Sequence, residues 1–389
     1  MVKGRRLLFT ISFHHLCNDG TLMALVALVP VLVDEMDLSY YDVGILGFGL
    51  LISVVVQYGV GRIADRAFSR YLLEIGAGLM GLSFLLLLLV NDFVGLFTVV
   101  IVMRVGAAFY HPVGTSWITR AYGGAYLETA LGVQSGIGNL GVIVALGSSG
   151  FLAEAYGWKL PCMLWAALNL SAVILGLTLV EETGIRVDGK KAAKRTNPVH
   201  TLRKIGILAV PIVTGGALYQ VTSYFGPLRL INAGEWSAGS ADLVFALWIG
   251  VGTVTSYYFG VMSSRFGKRN LLRFGYMISA ASVILLAFFS DWYIVGGILI
   301  AYGLLLFTTY PALFSLISDA TEEYERGTAF GILFGLQLGG GAATVYLSGF
   351  LADRLSDPAY AFWIVFVLAL MSIISLEIWD RRALNVRGA

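Results

Sequence analysis

Residues 149–154 read Ser149-Gly150-Phe151-Leu152-Ala153-Glu154, and 199 positions later residues 348–353 read Ser348-Gly349-Phe350-Leu351-Ala352-Asp353. The same offset carries Gly132, Gly136 and Gly141 onto Gly331, Gly335 and Gly340. It carries Tyr58, Gly61, Arg66 and Arg70 onto Tyr257, Gly260, Arg265 and Arg269. It also carries Pro112, Ser116, Ile118 and Ala121 onto Pro311, Ser315, Ile317 and Ala320. Glycine-rich segments resemble one another by composition, but composition does not keep one register along a chain. The sequence reads as an internal duplication.

What is duplicated is apolar. Of 389 residues, 58% are hydrophobic and 13% charged, against roughly 45–50% and about 25% in soluble proteins. Twelve apolar stretches lie at 7–33, 43–61, 71–90, 93–119, 127–152, 159–180, 205–228, 240–262, 271–290, 292–318, 328–351 and 359–379. Each can cross ~30 Å of hydrocarbon as a helix. No stretch has the alternation of a barrel strand, so the expected fold is an all-α membrane protein of twelve transmembrane helices. The one long hydrophilic break, 181–204, divides it into six-helix bundles at 1–180 and 205–389. An even split gives the halves one orientation, related by an axis along the membrane normal.

Basic residues orient the chain. Loops on the side of the termini, with the termini themselves, carry 22 Lys and Arg, the opposite loops carry 3, and Arg104 lies within a helix. Both termini are therefore expected to be cytoplasmic. The basic start followed by an apolar run past His14 and His15 has no small-residue cleavage site and reads as a helix rather than a leader. A short chain without glycosylation loops suggests a prokaryotic plasma membrane. The net charge of +2 gives no reason to expect a nucleic-acid partner. Cys17 and Cys162 fit no metal or disulfide framework.

The loop after the second stretch reads Gly61-Arg62-Ile63-Ala64-Asp65-Arg66-Ala67-Phe68-Ser69-Arg70, which fits G-x-x-x-D-R-x-x-x-R. Its copy in the second half runs from Gly260 through Arg265 to Arg269, with Ser264 in place of the acid. In this loop, in its position and in the 6+6 division the chain resembles the major facilitator superfamily. The resemblance implies two pseudo-symmetric bundles that rock about a central cavity. It gives Gly61, Asp65, Arg66, Arg70, Gly260, Arg265 and Arg269 a gating role, with Asp65 set against the positive end of the eleventh helix, near Gly327. The alternative is that these arginines only fix topology.

An ionisable residue at mid-membrane is a functional-site hypothesis by default. Asp19 falls ~18 Å into the first helix and Arg104 ~16 Å into the fourth, and the two are natural partners. The offset puts Gly303 opposite Arg104, so this charge is not needed to fold such a bundle. His15 and Asp19 are four apart on a helix and can touch, as can His14 and Asn18. His111 lies one heptad beyond Arg104 and precedes Pro112, which breaks a backbone bond. An imidazole layer beside a buried acid can relay protons, although each His also suits plain packing. Its spacing is not a metal-ligand motif, and neither metal nor cofactor is expected.

His15-Leu16-Cys17-Asn18-Asp19, Phe109-Tyr110-His111-Pro112 and Gln134-Ser135-Gly136-Ile137-Gly138-Asn139-Leu140-Gly141 are similar to marks of the fosmidomycin-resistance group of exporters. Tyr110 is inserted where that group has Phe-His-Pro. Gln134 and Asn139 join the candidate site on this resemblance. Tyr219, Gln220, Tyr310 and Gln337 are further polar candidates in the seventh, tenth and eleventh helices, although such residues often only bond neighbouring helices. Pro211, Pro227 and Pro311 are candidate kinks.

The sequence thus points to a secondary transporter working by alternating access, coupled to protons and exporting a small organic, anionic solute or drug. A multidrug antiporter for lipophilic cations and a proton- or sodium-coupled importer of a nutrient anion are the alternatives. No G-x-x-x-x-G-K-[ST] loop is present, and no catalytic cluster suggests an enzyme. The expected partners are the small-molecule substrate, protons and the bilayer, with the chain a monomer.

Overall fold

The computed structural model describes residues 2–66, 71–123, 125–179, 198–234, 236–322 and 325–387. The linker expected at 181–204 lies outside them up to residue 197. So do Arg70 and the side chains of Asp65 and Arg66.

Without water in hydrocarbon, each backbone N–H and C=O must bond within its own segment, and helices do this. The helices are α1 (Val2–Glu35), α2 (Tyr40–Phe48 and Leu50–Arg66), α3 (Tyr71–Leu87), α4 (Phe93–Ala107 and Tyr110–Ala121), α5 (Ala125–Tyr156) and α6 (Lys159–Leu179). They continue as α7 (Ala209–Asn232), α8 (Ala238–Tyr257), α9 (Lys268–Phe288), α10 (Trp292–Ala320), α11 (Arg326–Arg354) and α12 (Ala361–Arg387). Short helices Pro198–Ile205 and Phe259–Phe266 precede α7 and follow α8. Among the described residues eleven of the spans are long and apolar enough to cross a membrane, and α3 is a shorter apolar helix of 17 residues. Large apolar side chains such as Val55, Leu85, Val94, Ile174, Leu247 and Ile374 stay exposed on the helices, as a surface solvated by lipid requires.

The structure divides α4 where the sequence reads one run. Pro112 has no N–H to offer Ala108, and the chain tightens there: the N–H groups of Ala108 and Phe109 donate to Val105 and Gly106, three residues back, at 3.3 and 3.2 Å. At the equivalent Pro311, α10 runs on unbroken. Gly157, at φ 85°, closes α5 in the left-handed region that glycine enters freely.

Two compact units emerge. The first comprises Met1–Leu38, Gly49–Lys190 and Ser237–Ala246; the second comprises Ser39–Phe48, Lys191–Trp236 and Leu247–Ala389. The opening segments of α2 and α8 are thus each packed in the unit built mainly from the other half of the chain. In the first unit α1 packs on α5, and α3 on α4 and α6. In the second, α7 packs on α11, and α9 on α10 and α12. These are the same pairings 199 residues on, so the duplication read from sequence is a duplication of packing.

Candidate functional site

The site in the first unit is built on one face of α1. His15 and Asp19, one turn apart, bring Nε2 within 3.0 Å of Oδ2. Asn18 donates its Nδ2–H to Asp19 Oδ1 at 2.8 Å. The divided α4 sends back His111, whose Nε2 lies 3.5 Å from the same Oδ1. Side-chain exposure falls along the set, from 47% at His111 through 21% at Asp19 to 8% at His15. The three residues form a graded path from open space into the bundle.

His15 is clamped. The Tyr110 ring stacks on it at 4.4 Å, and His111 meets it edge-on at 5.4 Å. Gly138 of α5 lies against its other face, where a Cβ would stand 2.6 Å from the ring. Its Nδ1 faces Gln134 twice: the main-chain oxygen is 2.9 Å away and the side-chain Nε2 is 2.8 Å away. Gln134 Nε2 also donates to the Tyr110 hydroxyl at 3.0 Å. When Nδ1 carries a proton it can donate to the carbonyl; when bare it can accept from the amide. The ring is therefore satisfied in both charge states without moving, and either state leaves Nε2 beside the carboxylate.

The expected Asp19–Arg104 pair does not form. Asp19 is partnered by His15, His111 and Asn18. Arg104 is buried in the first piece of α4, where Ser53 donates to its main-chain oxygen at 2.7 Å. The break after Ala107 ends the straight-helix heptad that relates Arg104 to His111. His14 is buried on another side of α1, hydrogen-bonded to the main chain of Ala172. It shares the surface beside Gly176 with the carboxyl of Glu74. Asn139 is half-buried on α5 and bonds to none of the cluster.

Within the apolar stretches, two buried acids escaped the sequence reading. Glu74 of α3 is 6% exposed and Asp242 of α8 is 0% exposed. Each stands within the first residues of an apolar stretch, where depth alone reads as interfacial; only an acid flanked by apolar neighbours on both sides could have signalled them. The cluster of His15, Asp19 and His111 also has its ligand atoms close enough to hold a cation.

The remaining candidates divide by unit. Tyr219, Gln220, Tyr310 and Gln337 lie in the second unit. Tyr219 stacks on Trp248 at 5.7 Å and meets Phe307 edge-on. Tyr310 donates to the Gly215 carbonyl at 3.1 Å, and Gln337 packs its backbone against Gly216. None of the first-unit cluster is repeated: the offset puts Thr214, Leu218, Tyr310 and Leu333 at the positions of His15, Asp19, His111 and Gln134.

Of the gating residues, Gly61 approaches Pro112 and Gly260 faces open space. Arg265 lies over the Phe266 ring at 5.4 Å. Arg269 pairs with Asp380 of α12 at 2.9 Å, and Arg273 binds Glu377 and Asp380 at 2.7 and 2.6 Å. The start of α11 carries its own acid: buried Glu325 bonds Lys204 at 2.6 Å.

Among the described residues, twelve apolar spans in duplicated bundles, with an ionisable cluster on α1 and α4 of the first unit, are the architecture of a membrane transporter of the duplicated-bundle class. The Major Facilitator Superfamily model matches residues 8–344 and 217–388, and the chain belongs to that family. It is similar to the MFS-type transporter YfnC of Bacillus subtilis, 25% identical over 375 residues covering 89% of this chain and 86% of that one. It is similar to the fosmidomycin resistance protein of Escherichia coli, 22% identical over 386 residues covering 97% and 93%. The solved nucleoside transporter NupG shares the fold, with a TM-score of 0.80 at 16% identity over 98% of this chain and 99% of that one.

Proposed function

We propose that the protein is a proton-coupled secondary transporter that exports a small organic anion or drug by alternating access. The observation that carries the coupling is Gln134, which offers one donor and one acceptor to His15 Nδ1. A ring whose Nδ1 has a hydrogen-bond partner in each charge state, against a partly exposed carboxylate and a more exposed imidazole, can take up and release a proton without moving. Asp19 carries or steers that proton. Arg104, buried in α4 of the same unit, is the positive charge for an anionic substrate.

Export is favoured by the similarity to a resistance protein along nearly the whole chain. The charge bias of the loops supports cytoplasmic termini, and the bacterial relatives support a prokaryotic plasma membrane. In this reading the halves 1–180 and 205–389 rock as bundles joined by the 181–204 linker, and the chain acts as a monomer. Gly61, Asp65, Arg66, Arg70 and their second-half copies control closure. Conversion of the substrate plays no part in this cycle.

The test is flux in proteoliposomes under an imposed pH gradient, with phosphonates and organic anions compared against lipophilic cations. Anion flux driven by the gradient and lost in Asp19→Asn supports the proposal. Flux of lipophilic cations that survives Arg104→Ala moves the assignment to a multidrug antiporter, and gradient-independent flux refutes the coupling.

A further inference from the structure

Asp242 is fully buried in the second turn of α8, and neither of its carboxylate oxygens has a hydrogen-bond partner. The surface it meets is α5. At Gly150 a Cβ would stand 2.5 Å from Asp242 Oδ2 and 2.8 Å from the Cα of Gly239. One turn further along α5, Glu154 accepts the Gly239 N–H at 2.8 Å. Glu154 is also the charged group that acts on Asp242 among the described residues. Among the described residues no cation pairs with either acid.

The duplication supplies an internal control. The offset of 199 relates Gly239 to Tyr40 and Asp242 to Val43, and Gly150 to Gly349. In the second unit Gly349 packs just as closely on the opening segment of α2, where its Cβ would stand 2.6 Å from the Tyr40 carbonyl and 2.7 Å from the Cα of Gly44. Val43 is fully buried there. The same close seam is thus built once with valine and once with aspartic acid, so packing does not call for the acid. An ion without donors, buried beside a second carboxylate, is the costliest way to fill the position, and the neutral acid is the cheapest.

We propose that Asp242 is a proton-binding site, separate from the His15–Asp19 cluster, that holds a proton while α8 is seated on α5 and releases it to water when the seam parts. The ligand is the proton itself: the O–H bond breaks as the carboxylate becomes hydrated, and re-forms before the seam closes. Seating of α8 is then favoured by acid and opposed by base, whatever solute the protein carries.

The experiment uses the full chain in lipid nanodiscs and does not depend on a substrate. Infrared difference spectroscopy at neutral pH should show the carbonyl stretch of a protonated carboxylic acid that vanishes in Asp242→Asn and persists in Asp19→Asn. Thermal unfolding should give a midpoint for Asp242→Asn and Asp242→Val that exceeds wild type at mildly alkaline pH, with the gap closing in acid. If Asp242→Asn fails to fold, Asp242→Glu should move the band rather than remove it. Absence of any Asp242-dependent band at neutral pH, or an alkaline midpoint in both variants below that of wild type, overturns the proposal.

Discussion

Gln134 faces His15 Nδ1 with its main-chain oxygen at 2.9 Å and its amide nitrogen at 2.8 Å, so one residue provides both an acceptor and a donor to one ring nitrogen. Gln134→Leu removes the donor and keeps the acceptor. The neutral ring then loses a hydrogen bond worth about 1 kcal/mol, while the protonated ring keeps its own. The pH profile of proton-driven flux should move toward higher pH by under one unit, about 0.7 by that energy. An unshifted profile in a folded Gln134→Leu protein refutes the dual role.

Asp19→Asn keeps the shape of the side chain and the bond from Asn18 but removes the charge that His15 and His111 share. Hydrogen bonds to charged groups contribute about 1.5–3 kcal/mol, which corresponds to a loss of about tenfold to a hundredfold in proton-driven flux. Substrate binding, measured by thermal shift, should remain. Undiminished gradient-driven flux would sink the assignment of the coupling site.

Gly138→Ala places a methyl 2.6 Å from the His15 ring, whereas Gly136→Ala meets nothing within 4 Å. Overpacking of this kind costs about 1–3 kcal/mol. The first variant should lower the unfolding midpoint and impair coupling, and the second should do neither. Equal midpoints for the two would show that α1 and α5 are not as close as the structure has them.

Arg104→Ala should abolish protection of the protein by anionic ligands in a thermal-shift screen. Retained anion protection refutes the substrate charge proposed for it.

Glu325 responds to pH at the start of α11. Its bond from Lys204 holds the carboxyl below its ordinary value of 4.5, with a further contribution from the Glu322 backbone and His200, against a smaller opposing effect of desolvation. A carboxyl depressed on folding stabilises the native state above its ordinary value, and that contribution disappears as pH falls through the lower folded value. Glu325→Gln should therefore flatten the acid limb of thermal stability while lowering the midpoint at neutral pH. A wild-type acid limb in this variant would remove Glu325 from the account.

The twelve apolar stretches and the constant offset of 199 are legible without coordinates. Hydrocarbon leaves a spanning backbone one solution, and a duplicated pattern of small residues repeats the same helix pairings. His15 and Asp19 are equally legible as neighbours, because four residues make one turn. Their third partner is not. A straight fourth helix would put Arg104 and His111 on one face, and the interruption between Ala107 and Tyr110 undoes that inference. Tertiary structure alone presents both polar ends of Gln134 to one nitrogen, and packs Ser39–Phe48 and Ser237–Ala246 each among helices from the other half of the chain. It alone buries Asp242 against Gly150, because what surrounds a residue near the end of an apolar stretch depends on the helix that covers it, and no local spacing along one chain records that neighbour.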